Sequence, residues 1–245
     1  MSSVIDLLKS HRSIRKFTDK AIEPELLNEL VLAGQAAATS SFLQGSTIIR
    51  VSKKETREKI ATLAGNQKYV ETAAEFLVFC ADLKRPGNFC REYEKAFEGD
   101  YTEHFIIATV DVALMAQSLV TAAESVGLGI CYIGGIRNDP ALVSELLELP
   151  DGVYPVFGLC LGYPDQDPEV KPRLPVSVIM KQEVYNEEGD RDSISEYDEE
   201  IREYYRTRTG GGHGISWTEQ VSGLLSGKAR PHMKEFLASK GYKFK

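Results

Sequence analysis

A cluster of cationic and hydroxyl side chains occupies the segment HRSIRK near the start of the chain. It comprises His11, Arg12, Ser13, Arg15 and Lys16. Two guanidinium groups and a hydroxyl are a suitable donor set for a phosphate group. Cations also stabilise the C-terminus of a helix, here one predicted for residues 3–10, so a solvated helix end is the alternative interpretation.

Hydroxyl and amide side chains form two further clusters. Ser40, Ser41 and Gln44 follow a predicted helix in TSSFLQ, and Gln67 lies in GNQK. Such groups can hydrogen-bond a polyhydroxyl chain or the polar edge of a heterocycle. A Ser-rich loop that binds nothing is the alternative for the first of these clusters.

Two more segments could contact a ligand, one through its backbone and the other through its charged side chains. In YIGGIRN, Gly134 and Gly135 follow a predicted strand, where the missing Cβ lets a ligand approach the backbone closely. In KPRLP, Pro172 and Pro175 stiffen a pair of cations, Lys171 and Arg173. A solvated loop is the alternative for the second segment.

Common catalytic signatures do not occur in the sequence. It contains no GxGxxG after a strand, no Walker motif, no GxSxG, no HExxH and no EF-hand loop. The four histidines are scattered and the four cysteines form no CxxC pair, so we predict no metal site. Most of the cysteines lie in apolar runs, which is typical of structural thiols in a reducing compartment.

Charge and composition restrict the class of protein. The 245 residues carry a net charge of −7, which argues against nucleic acid as the main partner. Residues 183–203 hold ten Asp or Glu and two Arg, so the remaining chain is nearly neutral and a phosphate site there is electrostatically reasonable. Because Asp6, Lys9 and His11 interrupt any apolar start, we expect no signal peptide and a cytoplasmic location.

Apolar runs and helical patterns alternate along the chain. Short apolar runs predict buried strands at residues 48–51, 76–81, 130–133 and 156–161. Helices are predicted at residues 24–38, 54–64 and 140–148, the first and last beginning at a proline. This alternation predicts a layered α/β or α+β domain.

The segment 105–126 predicts a helix that is apolar on nearly every face. A membrane span has this composition, but Asp111, Gln117 and Glu124 interrupt it, so a central helix shared with a second subunit is favoured. Beyond Pro175 the acidic stretch and a last helical segment ending near Lys240 contain too few apolar residues for a separate core. We therefore predict a core of residues 1–175 and an arm of residues 176–245 that wraps a partner.

Taken in order, the motifs resemble those of one family. The matching segments are HRSIRKFTD, TSSFLQ, AGNQ, AAESVGLGICYIGGIRN, PVFGLCLGYP and KPRLP. They resemble the nitroreductase family, in particular its NADPH-dependent flavin reductase and oxygen-insensitive nitroreductase branch. The resemblance runs from about residue 4 to residue 240.

The resemblance implies an α+β fold with a mixed, mainly antiparallel sheet flanked by helices. It also implies a homodimer that binds FMN at the subunit interface, with a C-terminal extension over the partner. The expected activity is reduction of nitroaromatics, quinones or free flavin by ping-pong two-electron transfer from NADPH. A flavin-binding sensor or carrier, and a dehalogenating or flavin-consuming member of the same fold, are the alternatives.

The resemblance also assigns site residues. It implies that the FMN phosphate and ribityl end contact His11, Arg12, Ser13 and Arg15, and that Lys171 and Arg173 join them at the phosphate. The ribityl chain or ring would contact Ser40, Ser41 and Gln44. The isoalloxazine would be lined by Gln67, Ile133, Gly134 and Gly135. No side chain is expected to act as a catalytic residue, because the hydride passes to FMN N5.

The resemblance further implies that the site for the NADPH 2′-phosphate lies just past the pair Tyr204-Tyr205. Arg208 takes that position, with Arg206 nearby. Other members of the family tend to have further basic residues in the next loop, where this chain has GGGHG at residues 210–214. Phe42 is predicted to cover the bound acceptor, and a core phenylalanine is the alternative.

Overall fold

The computed structural model describes residues 3–208, 211–212, 214–227 and 229–245. The chain divides into two compact units: Met1–Gln166 with Arg230–Lys245, and Asp167–Ala229. The predicted boundary at residue 175 lies close to the start of the second unit. The last sixteen residues of the predicted arm, however, belong to the first unit.

An antiparallel sheet forms the centre of the first unit. Its strands are β1 (Ser46–Arg50), β2 (Glu75–Asp82), β3 (Gly129–Ile133) and β4 (Val153–Gly162), in the order β1-β2-β4-β3. All three neighbouring pairs are antiparallel. The four predicted strands and the α+β class are therefore confirmed, and β1 and β3 lie at opposite edges of the sheet.

Seventeen elements are assigned in the described residues, and thirteen of them are helical. The α-helices are α1 (Val4–Lys9), α2 (Pro24–Gln35), α3 (Lys54–Leu63), α4 (Tyr69–Thr72), α5 (Lys84–Glu92), α6 (Thr102–Ser125), α7 (Pro140–Leu146), α8 (Val176–Ile179), α9 (Asp190–Thr207), α10 (Trp217–Ser226) and α11 (Met233–Ser239). Short 3₁₀ turns occupy Ser40–Phe42 and Gly134–Asn138. Side-chain caps mark several starts: Ser3 and Ser216 form capping boxes, and Asp139 caps α7.

Helix α6 has two apolar sides with different environments. Its core side, which includes Val112, Leu119 and Val120, is buried in one hydrophobic cluster with strand residues such as Phe79. Among the described helices it alone is long and apolar enough to cross a membrane, a criterion of length and composition that the core helix of a soluble protein also meets. Its other side leaves Ile106, Val110 and Leu114 exposed in a stripe spaced four residues apart.

The end of the chain returns to the first unit. Phe236, Leu237 and Tyr242 are buried in the same cluster as the sheet and α6. The Tyr242 hydroxyl donates to the Gly152 carbonyl oxygen at 2.9 Å. The burial of these three side chains explains why residues 230–245 group with the first unit.

The second unit is built on the acidic helix α9. The Thr218 backbone amide donates a hydrogen bond to Asp198 Oδ1 at 3.0 Å, and this bond joins α9 to the start of α10. The Tyr197 and Trp217 rings also contact each other, with centroids 6.2 Å apart. Most acidic residues of the stretch 183–203 lie on this 18-residue helix, and most of their side chains are exposed.

Candidate functional site

The cationic segment lies along the outer edge of β3. The Ile14 amide donates to the Ile130 carbonyl oxygen at 2.8 Å, and Ser13 makes a β-bridge to the same residue. Ile14 is buried, whereas Arg15 and Lys16 are exposed and Arg12 is partly so. The segment thus covers the edge strand with its apolar residue and projects its cations towards solvent.

Arg15 connects this segment to the start of α4. Burial raises the pKa of the Tyr69 hydroxyl, and the neighbouring Arg15 guanidinium opposes that rise. The Tyr69 hydroxyl therefore stays protonated at neutral pH and can donate a hydrogen bond. Sequence reasoning missed Tyr69, because a single tyrosine among mostly polar neighbours carries no signal of its own.

The turn after β3 approaches the turn before α4 very closely. A Cβ at Gly135 would lie 2.4 Å from the Ala64 carbonyl oxygen, so no other residue fits there without a backbone shift. The Asn138 amide also donates to the Leu63 carbonyl oxygen at 3.2 Å. The two turns hold Gly134 and Gly135 next to the segment that carries Gln67.

Gln67 provides the best evidence that this edge of the sheet binds something. Its Oε1 atom is buried and has no hydrogen-bond partner within the described part of the chain. A buried acceptor without a partner costs about 1–3 kcal/mol, so such atoms are rare unless a ligand or water satisfies them. A donor on a heterocycle would satisfy this oxygen.

A strained loop carries Ser40, Ser41, Phe42 and Gln44. Three of these residues have left-handed backbone angles, with φ of 49° at Ser41, 57° at Phe42 and 53° at Gln44. Such angles are unfavourable for residues other than glycine and cluster at functional sites. The loop is held to α6 by the Ser40 amide, which donates to Asp111 Oδ1 at 3.0 Å. Phe42 is 80% exposed, which excludes the alternative of a core phenylalanine.

Helix α6 separates this loop from the cationic segment. Asp111 holds the Ser40 amide, and Glu124 Oε1 lies 2.5 Å from His11 Nδ1. The two carboxylates are thirteen residues apart, about 20 Å at 1.5 Å per residue. Within one chain, therefore, His11 and Ser40 are not brought together.

In the second unit, one tyrosine joins two of the predicted cations. Lys171 Nζ donates to the Tyr205 hydroxyl at 2.6 Å, and the Arg208 guanidinium lies 4.9 Å from the Tyr205 ring centroid. Arg173 donates to the Lys171 carbonyl oxygen at 2.8 Å, and Arg206 pairs with Glu203 at 3.6 Å. Gly210 and His213 of the GGGHG loop lie outside the described residues.

Arg230 is a further residue that sequence reasoning missed. Its Nε donates to Asn138 Oδ1 at 3.1 Å, at the end of the turn that contains Gly134 and Gly135. Its backbone is left-handed, with φ of 51°. Only the fold brings this residue to the turn, because 92 positions separate it from Asn138 in the chain.

Burial makes three of the four cysteines unsuited to redox chemistry. All four are free thiols, and burial raises the pKa of Cys80 to about 12. Burial also raises the pKa of Cys131 and Cys160, so the reactive thiolate is disfavoured at neutral pH. No group of three or more metal-binding side chains is found among the residues with described positions.

Comparison with known proteins identifies relatives over nearly the full length. The model of the nitroreductase family matches residues 8–163, and that of the nitroreductase family C-terminal domain matches residues 171–245. An NADPH-flavin oxidoreductase of Vibrio harveyi is 46% identical over 241 residues, 98% of each chain. An oxygen-insensitive NADPH nitroreductase of Salmonella typhimurium is 41% identical over 242 residues, 99% of each chain. The solved structure of the NADPH:FMN oxidoreductase from Vibrio harveyi in complex with NAD+ has a TM-score of 0.91 and 45% identity, with 99% of each chain covered.

Proposed function

This chain belongs to the nitroreductase family, and we propose that it is an FMN-dependent NADPH oxidoreductase that reduces flavins, nitroaromatic compounds or quinones. The observation that carries the proposal is the arrangement at the β3 edge. There the cations of residues 11–16, the unpartnered Gln67 oxygen and the close approach at Gly135 lie on neighbouring elements. A phosphate, a ring donor and a flat ring face would each find a matching group.

The residues of this chain bind and orient, and none is needed as a nucleophile. The chemistry that bound FMN supplies is two-electron transfer from NADPH to the acceptor. His11, Arg12, Ser13 and Arg15 would hold the phosphate and ribityl end, joined by Lys171 and Arg173. Gln67 would accept a hydrogen bond from the ring, and the missing side chains at Gly134 and Gly135 let the ring approach the backbone beside Ile133.

A homodimer explains the two separated groups of residues. The exposed stripe of Ile106, Val110 and Leu114 on α6 is an apolar surface that a second copy could cover. Since His11 and Ser40 contact carboxylates that lie about 20 Å apart along α6 in one chain, one FMN would take the cationic segment from one subunit and Ser40, Ser41 and Gln44 from the other. Phe42 would then cover the acceptor, and residues 176–229 would reach over the partner.

The free cysteines support a cytoplasmic location.

Turnover tests the proposed activity against a flavin sensor or carrier. The purified protein should release FMN on denaturation and oxidise many equivalents of NADPH when nitrofurazone or free FMN is added. Because donor and acceptor would use one cleft in turn, double-reciprocal plots should give parallel lines. Intersecting lines would mean that both substrates bind together, and a single equivalent of oxidised NADPH would favour the sensor.

NADPH preference should depend on Arg208. A positioned arginine contributes roughly 1.5–3 kcal/mol through charge-assisted hydrogen bonds to a phosphate. Arg208→Ala should therefore raise the KM for NADPH by about tenfold and leave the KM for NADH nearly unchanged. Steady-state kinetics with both nucleotides at two ionic strengths measures this, since a surface phosphate contact weakens with salt.

Arg191→Ala is the matched control for Arg208→Ala. Arg191 is exposed at the other end of α9, so its removal changes the net charge equally without touching the Tyr204-Tyr205 pair. We expect this control to leave both KM values unchanged. If Arg208→Ala affects NADPH and NADH alike, Arg208 only balances the acidic helix and the phosphate assignment is wrong.

A further inference from the structure

Two of the three acidic side chains of helix α6, those of Asp111 and Glu124, are largely removed from solvent. Asp111 is 1% exposed, and the Glu124 side chain is 12% exposed. In each carboxylate one oxygen, Asp111 Oδ2 or Glu124 Oε2, is buried without a hydrogen-bond partner among the described residues. Burying a carboxylate with incomplete hydrogen bonding destabilises a fold, so these residues need an explanation other than stability.

The second oxygen of each carboxylate contacts a different part of the proposed flavin site. Asp111 Oδ1 accepts the Ser40 amide at 3.0 Å, and Glu124 Oε1 lies 2.5 Å from His11 Nδ1. Gln117, the other residue that interrupts the apolar pattern of residues 105–126, is exposed, and its side-chain amide donates to Thr121 on the same helix. The carboxylates of Asp111 and Glu124 thus contact the Ser40 loop and His11, whereas the contact of the Gln117 amide lies within α6.

Asp111 has a clear task at the Ser40 loop. Ser41, Phe42 and Gln44 all adopt left-handed angles that their side chains disfavour, so the loop would relax unless its surroundings hold it. The hydrogen bond from the Ser40 amide to Asp111 anchors the start of this strained segment. Loss of the anchor would let the loop leave the geometry in which it meets the flavin.

Glu124 has the corresponding task at His11. A carboxylate at Nδ1 fixes the orientation of the imidazole ring and makes Nδ1 a donor. The other ring nitrogen then points away from Glu124 and is available to a ligand. Carboxylates behind functional histidines orient them in the same way at metal sites.

We infer that Asp111 and Glu124 are positioning residues for the flavin, and that each α6 serves both flavin sites of a dimer. The inference rests on the proposed function. The residues lie about 20 Å apart along the helix and roughly 140° around it, so they cannot serve one site together. Asp111 would hold the Ser40 loop, which contacts the flavin of the partner subunit. Glu124 would orient His11, which contacts the flavin of its own subunit.

Single variants test the positioning role through flavin affinity. Asp111→Ala and Glu124→Ala should each weaken FMN binding by about tenfold, the scale for hydrogen bonds to charged groups. Asp111→Asn and Glu124→Gln keep an acceptor oxygen and should stay within about threefold of the wild type, and Gln117→Ala should have no effect. Titration of the flavin-free protein with FMN, followed by flavin fluorescence, measures these affinities.

Thermal unfolding separates positioning from a general structural role. Asp111→Ala removes a buried carboxylate that is only half satisfied but also leaves the Ser40 amide without its acceptor, so its melting temperature should fall by no more than a few degrees while its FMN affinity falls about tenfold. A fall in melting temperature with unchanged affinity would overturn the inference for Asp111. If Asp111→Asn or Glu124→Gln weakens FMN binding as much as the corresponding alanine variant, the proposed role of the acceptor oxygen is wrong. Failure of the wild type to bind FMN would instead contradict the proposed function.

A mixed dimer tests whether each α6 serves two sites. Subunits that carry Asp111→Ala and Glu124→Ala are given different affinity tags, and the heterodimer is purified through both tags. One site then takes the His11 segment from the Glu124→Ala subunit and the Ser40 loop from the Asp111→Ala subunit, so it combines both defects. The other site takes both parts from the subunits in which they are intact. Half of the sites should therefore bind FMN with wild-type affinity. If the titration shows no wild-type class, both carboxylates act on the same site and the inference is wrong.

Discussion

Arg15→Ala is expected to weaken FMN binding by about 2–4 kcal/mol, which corresponds to roughly 30- to 1,000-fold in the dissociation constant. Arg15 follows the buried anchor Ile14, and its guanidinium lies beside the Tyr69 hydroxyl at the β3 edge. Truncation would remove a planar guanidinium that can donate two parallel hydrogen bonds to the FMN phosphate, and it would leave the phosphate charge less compensated. Flavin fluorescence during titration of the flavin-free variant with FMN measures the loss.

Two control variants define what Arg15 contributes. Lys16→Ala removes the next cation, which is also exposed. It should cost much less, because successive side chains of an extended segment point to opposite sides and Lys16 would then point away from the side that Arg15 takes. Arg15→Lys keeps the charge but loses the fork-shaped donor geometry, so its affinity should fall between those of Arg15→Ala and the wild type. A variant Arg15→Ala that purifies with stoichiometric FMN would contradict the assignment of Arg15 to the flavin.

Most of the sheet could be predicted from the sequence because β2, β3 and β4 are buried on both faces, whereas the edge strand β1 is only partly buried. Continuous apolar runs mark such strands, and all four runs lie inside β1 to β4 or extend one residue beyond them. The observed strands are longer at polar ends that periodicity does not include. At the two ends of β2, Glu75 pairs with Arg50 and Asp82 accepts the Thr47 hydroxyl. These polar ends are stable only because of partners from a neighbouring strand.

Two helices show where local patterns are insufficient. The start of α5, LKRPGN, has the composition of a turn, yet Pro86 is tolerated in the first turn of a helix. The last helix, α11, was predicted, but its packing against the first unit depends on Phe236, Leu237 and Tyr242. Those residues are separated by more than 70 positions from the strands they cover, so only the fold shows the contact.

Sequence motifs identify the site residues, whereas only the structure shows the contacts and backbone angles that hold them in place. The motifs name Gln67, but only burial reveals that its oxygen lacks a partner within the described chain. The left-handed angles of Ser41, Phe42 and Gln44 also had no sequence signal, because these residue types normally avoid them. Likewise, Asp111 and Glu124 interrupt an apolar pattern, and the pattern alone does not say what they contact.

The second large effect is expected at the end of the chain, where Tyr242→Ala should lower the free energy of unfolding by about 3–5 kcal/mol. Tyr242 is 2% exposed, and its ring packs edge-on against Phe105 and Tyr154, with centroids 5.8 and 5.2 Å apart. Burial raises the pKa of its hydroxyl, which donates to the Gly152 carbonyl oxygen. Urea unfolding followed by circular dichroism measures the change.

Tyr242→Phe and Tyr185→Ala separate the causes of this effect. Tyr242→Phe keeps the ring and loses one hydrogen bond, so it should cost only about 1 kcal/mol. Tyr185 is 81% exposed, and Tyr185→Ala should change stability by less than about 0.5 kcal/mol. If Tyr242→Ala is as mild as Tyr185→Ala, residues 230–245 do not belong to the core of the first unit. If the large effect is found, deletion of residues 176–245 would unfold the subunit itself, and the role of the arm has to be tested in chains that retain residues 230–245.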